Sequence, residues 1–194
     1  MEQAQRFHHD LADTLQIRVV QEMSEYHRTF APGGCFFFTV VTHRRQPHFA
    51  NENNVKRLRE AFVRVKTKHP FTIDAIVVLP DHLHTLWQLP DGDSNYSLRW
   101  RLIKHYVSTG LQTDTNHRDE KQVWQRRFWE HTITDERDWR NHMDYIHYNP
   151  VKHGYVNSPA DWKSGSFSRA VDIGWYDNDW GACEPENILG MDVE

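Results

Sequence analysis

The chain has 194 residues, of which 38% are hydrophobic and 13% aromatic, including eight Trp, enough to bury one domain core. No apolar run is long enough for a membrane-spanning helix. The two cysteines, Cys35 and Cys183, form no motif, which argues against a disulfide framework and a cysteine zinc site. The formal net charge of -4 is segregated. From Val171 onward there are seven acids and no Lys or Arg, so the rest of the chain carries 23 basic against 20 acidic residues, a net of +3.

Residues 1–26 are polar, with scattered apolar positions at Leu11, Leu15, Val19 and Val20, and read as an N-terminal extension, a short helix or a loose arm. Met1 to Asp10 lacks a charged-then-apolar leader pattern, so a cytoplasmic protein is expected. Pro32-Gly33-Gly34 is a turn. Cys35 to Thr42 is aromatic and β-branched, the pattern of a buried central strand. Asn51 to Lys68 places Val55, Leu58, Phe62 and Val65 at helical spacing, and His69-Pro70 stops it. Phe71 to Leu79 and His82 to Leu89 read as two strands of a hairpin joined at Pro80-Asp81. Ser97 to Leu111 is a helix, Val123 to Ile133 holds a fourth strand, and Asp135 to Asn149 is a helix with an acidic first turn that Pro150 ends. The order β-α-β-β-α-β-α predicts an α+β fold. Its core is a ferredoxin-like antiparallel sheet with helices on one face, followed by an added C-terminal helix. Residues 27–170 form the expected domain, and 171–194 an acidic tail.

Two spacings carry the chemistry. His82 and His84 are two apart on a strand and project to the same face. Tyr145 and Asn149 are four apart on a helix and share a side. If that strand and helix pack together, three candidate metal ligands meet one phenol. A divalent ion beside a tyrosine suits attack on a phosphodiester. Alone, each half is weak: the chain has 14 histidines, and a helical tyrosine is commonly a packed ring.

Three ordered runs add to this: Val78-Leu79-Pro80-Asp81-His82-Leu83-His84, Trp124 to His131, and Asp144 to Gly154. Together they resemble the REP-associated tyrosine transposases, chromosomal relatives of single-tyrosine insertion-sequence transposases in the HUH nuclease superfamily. The likeness covers roughly Tyr26 to Phe167. It implies that His82 and His84 are metal histidines, Tyr145 the nucleophile and Asn149 the third ligand. It implies Mg2+ or Mn2+ as cofactor. The substrate would be single-stranded DNA beside a REP hairpin, a short palindrome repeated in bacterial intergenic regions, with the activity at the nucleoid. It also implies action as a monomer, with the shared-site dimers of insertion-sequence relatives as the alternative. The product would be a 5'-phosphotyrosine and a free 3'-hydroxyl.

Around that site the sequence offers DNA contacts. Arg126, Arg127 and Trp129 mix cations with a stacking face. Arg99, Arg101 and Lys104 fall on one helix as candidate phosphate contacts. Lys152 is a cation that would favour the Tyr145 phenolate, needed because a free phenol with a pKa near 10 is ionised only about one part in a thousand at neutral pH. Each has a plain alternative as solvated or core surface. Tyr148 competes for the nucleophile role, Asp81 reads as a turn residue facing away, and Glu130 and His131 either line the site or simply end a strand. Two other functions stand beside the first: a hairpin-binding module with lost or minor catalysis, and an unrelated hydrolase using H-x-H and water. The tail is expected either to fold back over the basic groove or to be a solvated extension.

Overall fold

The computed structural model describes residues 33–111, 113, 115, 121–191 and 193; the expected extension at 1–26 lies outside them. Strands β1 (Cys35–Val41), β2 (Thr72–Val78), β3 (His82–Gln88) and β4 (Trp129–Thr132) form one antiparallel sheet in the order β2-β3-β1-β4. Helix α1 (Glu52–Lys68) links β1 to β2, α2 (Tyr96–Gly110) links β3 to β4, and α3 (Glu136–Lys152) and α4 (Phe167–Asp172) follow. This is the α+β, ferredoxin-like arrangement that the element order predicts.

Each long helix begins at a polar cap. The Asn51 side chain accepts from Asn53 N (2.9 Å), Asn95 from Leu98 N (3.1 Å) and Asp135 from Asp138 N (2.8 Å). Helix α1 buries Val55, Leu58, Ala61, Phe62 and Val65, and α2 buries Trp100, Ile103 and Val107. Both stripes pack on Phe36, Phe38, Val40, Leu83 and Trp87 of the sheet, where Trp87 and Trp100 stack at 4.4 Å. The opposite side chains of the same strands, Cys35, Phe37, Ala75, Val77 and Leu86, meet Trp139, Met143, Tyr145 and Ile146 of α3. Strand β1 is buried along its whole length because both faces are covered, which explains its unbroken apolar run.

Two local expectations change. Helix α3 does not stop at Pro150 but continues to Lys152. A proline near the C-terminal end forgoes one intrahelical bond, and the helix still closes through His153 N to Asn149 O (3.0 Å). The fourth strand shrinks to Trp129–Thr132. The acidic tail is not a solvated extension within the described residues. Tyr176 Oη donates to Asp144 Oδ1 (2.6 Å) and Asn187 Nδ2 to Asp144 Oδ2 (2.8 Å), while Tyr176 and Ile188 are buried beside α3. No described helix is long and apolar enough to cross a membrane.

Candidate active site

The β2–β3 hairpin turns tightly, with Leu79 N donating to His82 O (2.9 Å), and β3 begins at His82. Register pairs His84 with Thr39 of β1 and Val77 of β2, and His82 with Val41. Strand alternation then sends both imidazoles to the face that α3 covers. Helix α3 delivers Tyr145 to the same place: its ring lies 5.3 Å from that of His84 and 6.2 Å from that of Phe37, and the two imidazoles are 4.9 Å apart. Asn149 follows one turn later on the buried side of α3.

Both histidines are oriented through Nδ1. For His82 the partner is Asp81 Oδ1 at 2.6 Å, and for His84 it is Thr39 Oγ1 at 2.9 Å. These hydrogen bonds through Nδ1 fix both rings, as the outer hydrogen bonds of metal-bound imidazoles do. Burial, with the neighbouring His82, His153, Lys152 and Arg45, holds His84 well below its usual pKa, so its ring is the neutral form that a metal requires. Nε2 of His84 and both heteroatoms of the Asn149 amide are buried without a hydrogen-bond partner. Such orphaned atoms are costly in a folded core, and two nitrogen donors plus an amide oxygen fit a divalent ion.

Lys152 Nζ sits 3.4 Å from Tyr145 Oη and 4.7 Å from its ring centroid, and also donates to Met191 O (3.1 Å). Thr39 Oγ1 donates to Val193 O (2.7 Å), so the end of the tail borders the site. Tyr145 itself is only 1% exposed. Tyr148 points elsewhere, among the tail aromatics, and burial raises its hydroxyl pKa.

Asp81 was missed as a functional residue. Its carboxylate orients His82 and also receives Arg45 Nη1 (3.1 Å). Burial alone would raise its pKa, but His82 and Arg45 hold it below the ordinary range. It precedes β3 instead of belonging to it, so strand alternation does not dictate its direction. His153, with its ring 5.3 Å from that of His82, was also missed; its place four residues after Asn149, one helical turn on, was the available signal.

The expected DNA contacts divide. Arg99 is withdrawn as a phosphate contact. Its guanidinium is buried against Asp93 (2.7 Å), Pro70 O (2.8 Å) and His69 O (3.3 Å), tying α2 to two turns. Arg101 is exposed on α2, across the sheet from Tyr145. Lys104 donates to Gln125 O (3.2 Å) beside Trp124 and Phe128, and burial pushes its amine down to about 8. Arg126 and Arg127 are exposed just before β4. Trp129, 43% exposed, pairs with Thr39 and so shares a row with His84. Arg64 and Lys68 line a groove between α1 and α2 with His105 and Tyr106. Glu130 turns toward Tyr96, whose hydroxyl its hydrogen bond pushes up to about 12. His131 faces α3, where with Asp138 and His142 it forms a cluster able to hold a metal ion, with ligand atoms within 4.8 Å of one another.

The family model "Transposase IS200 like" matches residues 36–149, from β1 to Asn149, and so spans His82, His84, Tyr145 and Asn149. The chain belongs to the IS200-like transposase family. Among its relatives, a REP-associated tyrosine transposase of Escherichia coli K12 is 44% identical over 158 residues, 81% of this chain and 91% of its own. A relative from Haemophilus influenzae is 43% identical over 175 residues, 87% of this chain and 99% of its own. The solved structure of a REP-associated tyrosine transposase bound to a REP hairpin superposes with a TM-score of 0.69 at 42% identity, covering 84% of this chain and 94% of that one. These matches place this transposase with the REP-associated group, the family that its three motifs resemble.

Proposed function

We propose that this transposase cleaves and rejoins single-stranded DNA beside REP-type hairpins, with Tyr145 as nucleophile. The observation that carries this reading is the packing of the Tyr145 ring at 5.3 Å from His84, an imidazole whose Nε2 is buried without a partner. In the reaction, Tyr145 Oη forms a bond to the scissile phosphorus as the bond from phosphorus to the 3' oxygen breaks. The phenol gives up its proton and the departing oxygen gains one. A 5'-phosphotyrosine and a free 3'-hydroxyl remain, and the phosphodiester energy is kept for rejoining. The Lys152 ammonium, 3.4 Å from Oη, favours the phenolate electrostatically.

His82 and His84 through Nε2, and Asn149 through its amide oxygen, would hold Mg2+ or Mn2+. Imidazole donors favour Mn2+, whereas Mg2+ is the more available ion. When bound, the ion supplies charge that polarises the phosphate. Arg126 and Arg127 track the strand backbone and Trp129 offers an open ring to a base.

Tyr145→Phe keeps the packed ring and removes the hydroxyl. With labelled hairpin-bearing single strands it should bind like the wild type and give neither cleavage nor adduct, and EDTA should stop the wild type until Mn2+ is restored. Cleavage by the variant would move the nucleophile, and full activity in EDTA would remove the metal. A second reading, a hairpin-binding protein with minor catalysis, is favoured by the burial of Tyr145 and by Met191 and Val193 at the edge of the site. Intact binding without any adduct from the wild type would select it.

A further inference from the structure

We propose that His131, Asp138 and His142 form a second transition-metal site, distinct from the His82–His84–Asn149 trio and suited to Zn2+ or Co2+. The ligand atoms are already gathered. His131 Nε2 lies 2.8 Å from Asp138 Oδ2, His142 Nδ1 lies 3.0 Å from Asp138 Oδ1, and all three donors fall within 4.8 Å of one another. A tetrahedral ion with bonds of about 2.0–2.1 Å needs its ligands about 3.4 Å apart, so small side-chain movements complete the site. Two imidazoles and one carboxylate, with a water in the fourth position, is a recurrent zinc donor set. The catalytic trio, all neutral, fits zinc poorly.

The surroundings hold these donors for an ion. Asp138 Oδ2 accepts from Thr134 N (2.9 Å) and Thr134 Oγ1 (3.2 Å), which fixes the carboxylate. The His131 ring stacks on His142 at 4.8 Å and beneath Trp129 at 5.9 Å, while Phe37 packs on His142 at 4.6 Å. The His131 side chain is 36% exposed and that of Asp138 18%, so the site has an entry path and room for a water. The positive end of the α3 dipole opposes a cation here, but Asp135 and Glu136 in the same turn offset it. Without metal, Asp138 accepts from both rings, and His142 Nδ1 also lies 2.8 Å from Asp138 O. On loading, each imidazole turns an unprotonated ring nitrogen to the ion.

The consequence is mechanical. Strand β4 is a four-residue edge strand held by β1, and α3 carries Tyr145 three residues after His142. An ion joining His131 to Asp138 and His142 staples that edge to the nucleophile's helix. The test uses the full chain, stripped of metal, in a His82→Ala/His84→Ala background that removes the catalytic trio. Titration with Zn2+ should show one site by calorimetry, raise the melting temperature, and give with Co2+ the visible absorption of a low-coordinate ion. Adding His131→Gln or Asp138→Asn should weaken Zn2+ binding more than about 100-fold, since even outer-shell changes cost about 10–100-fold, and abolish the melting shift. His131→Gln changes a side chain that is 36% exposed and lies outside the core, so a folded variant is available. No binding in the background chain, or binding unchanged by both added substitutions, would overturn the site and leave the cluster as a hydrogen-bonded network, whatever the wild type does to DNA.

Discussion

At the scale of single residues, the site depends on what holds each imidazole. Asp81 bonds His82 Nδ1 at 2.6 Å, so Asp81→Asn should loosen ring orientation and ligand basicity and cost about 10–100-fold in metal affinity and in metal-dependent cleavage. Hairpin binding should be unaffected; an equal loss of binding would make Asp81 a general structural residue. Arg99 and Arg127 separate burial from contact. Arg99→Ala strands Asp93 and two backbone carbonyls and should cost about 2–4 kcal/mol of stability. Exposed Arg127→Ala should change stability by no more than about 0.5 kcal/mol and lower the salt slope of single-strand binding by about 0.7. Urea melts and a salt series on both variants check this; an unchanged salt slope would remove Arg127 from the interface. The H-x-H and Y-x-x-x-N spacings were legible because each is a periodicity of one element. The parts played by Asp81, Thr39 and Arg99 depend on contacts across turns and between strands, which no periodicity encodes.

At the scale of elements, strand and helix identities followed from apolar periodicity, and the deviations have local causes. Pro150 lies close enough to the end of α3 to be tolerated. Strand β4 is short because the pairing with β1 is interrupted between Gln125 and Trp129: Trp124 still bridges Thr42, with His43 N donating to Val123 O and Gln125 N to Val41 O (each 2.9 Å). Helix α3 is held down partly by His147, whose Nε2 lies 3.0 Å from Ser166 Oγ. Burial, with a smaller contribution from Arg169, pushes this imidazole down to about 3. The unfolded ring takes a proton below about pH 6.5 that the folded ring refuses. Its contribution to stability is therefore complete above that pH and falls by about 1.4 kcal/mol per unit on acidification toward 3. Urea unfolding at about pH 7 and about pH 5 should show the wild type losing more than His147→Gln. Equal losses would mean that this ring is not the group responsible.

At the scale of the whole molecule, the sheet separates two surfaces. One carries α1, α2 and the basic groove; the other carries α3, the paired histidines and the packed tail. The tail's approach to the site was not legible from its charge, because its anchors are aromatic and amide contacts with Asp144. Helix α3 packs on the sheet of its own chain, so the cleavage proposed for Tyr145 would need only one chain and one tyrosine. The most direct measurement is mass mapping of the covalent product. Wild-type protein is incubated with a hairpin-bearing single strand and Mn2+, digested with nuclease and trypsin, and the peptide Asn141 to Lys152 is sequenced for a nucleotide adduct. The site geometry predicts the phosphotyrosine at Tyr145. An adduct at Tyr148, or cleaved DNA with no adduct on any tyrosine, would contradict it.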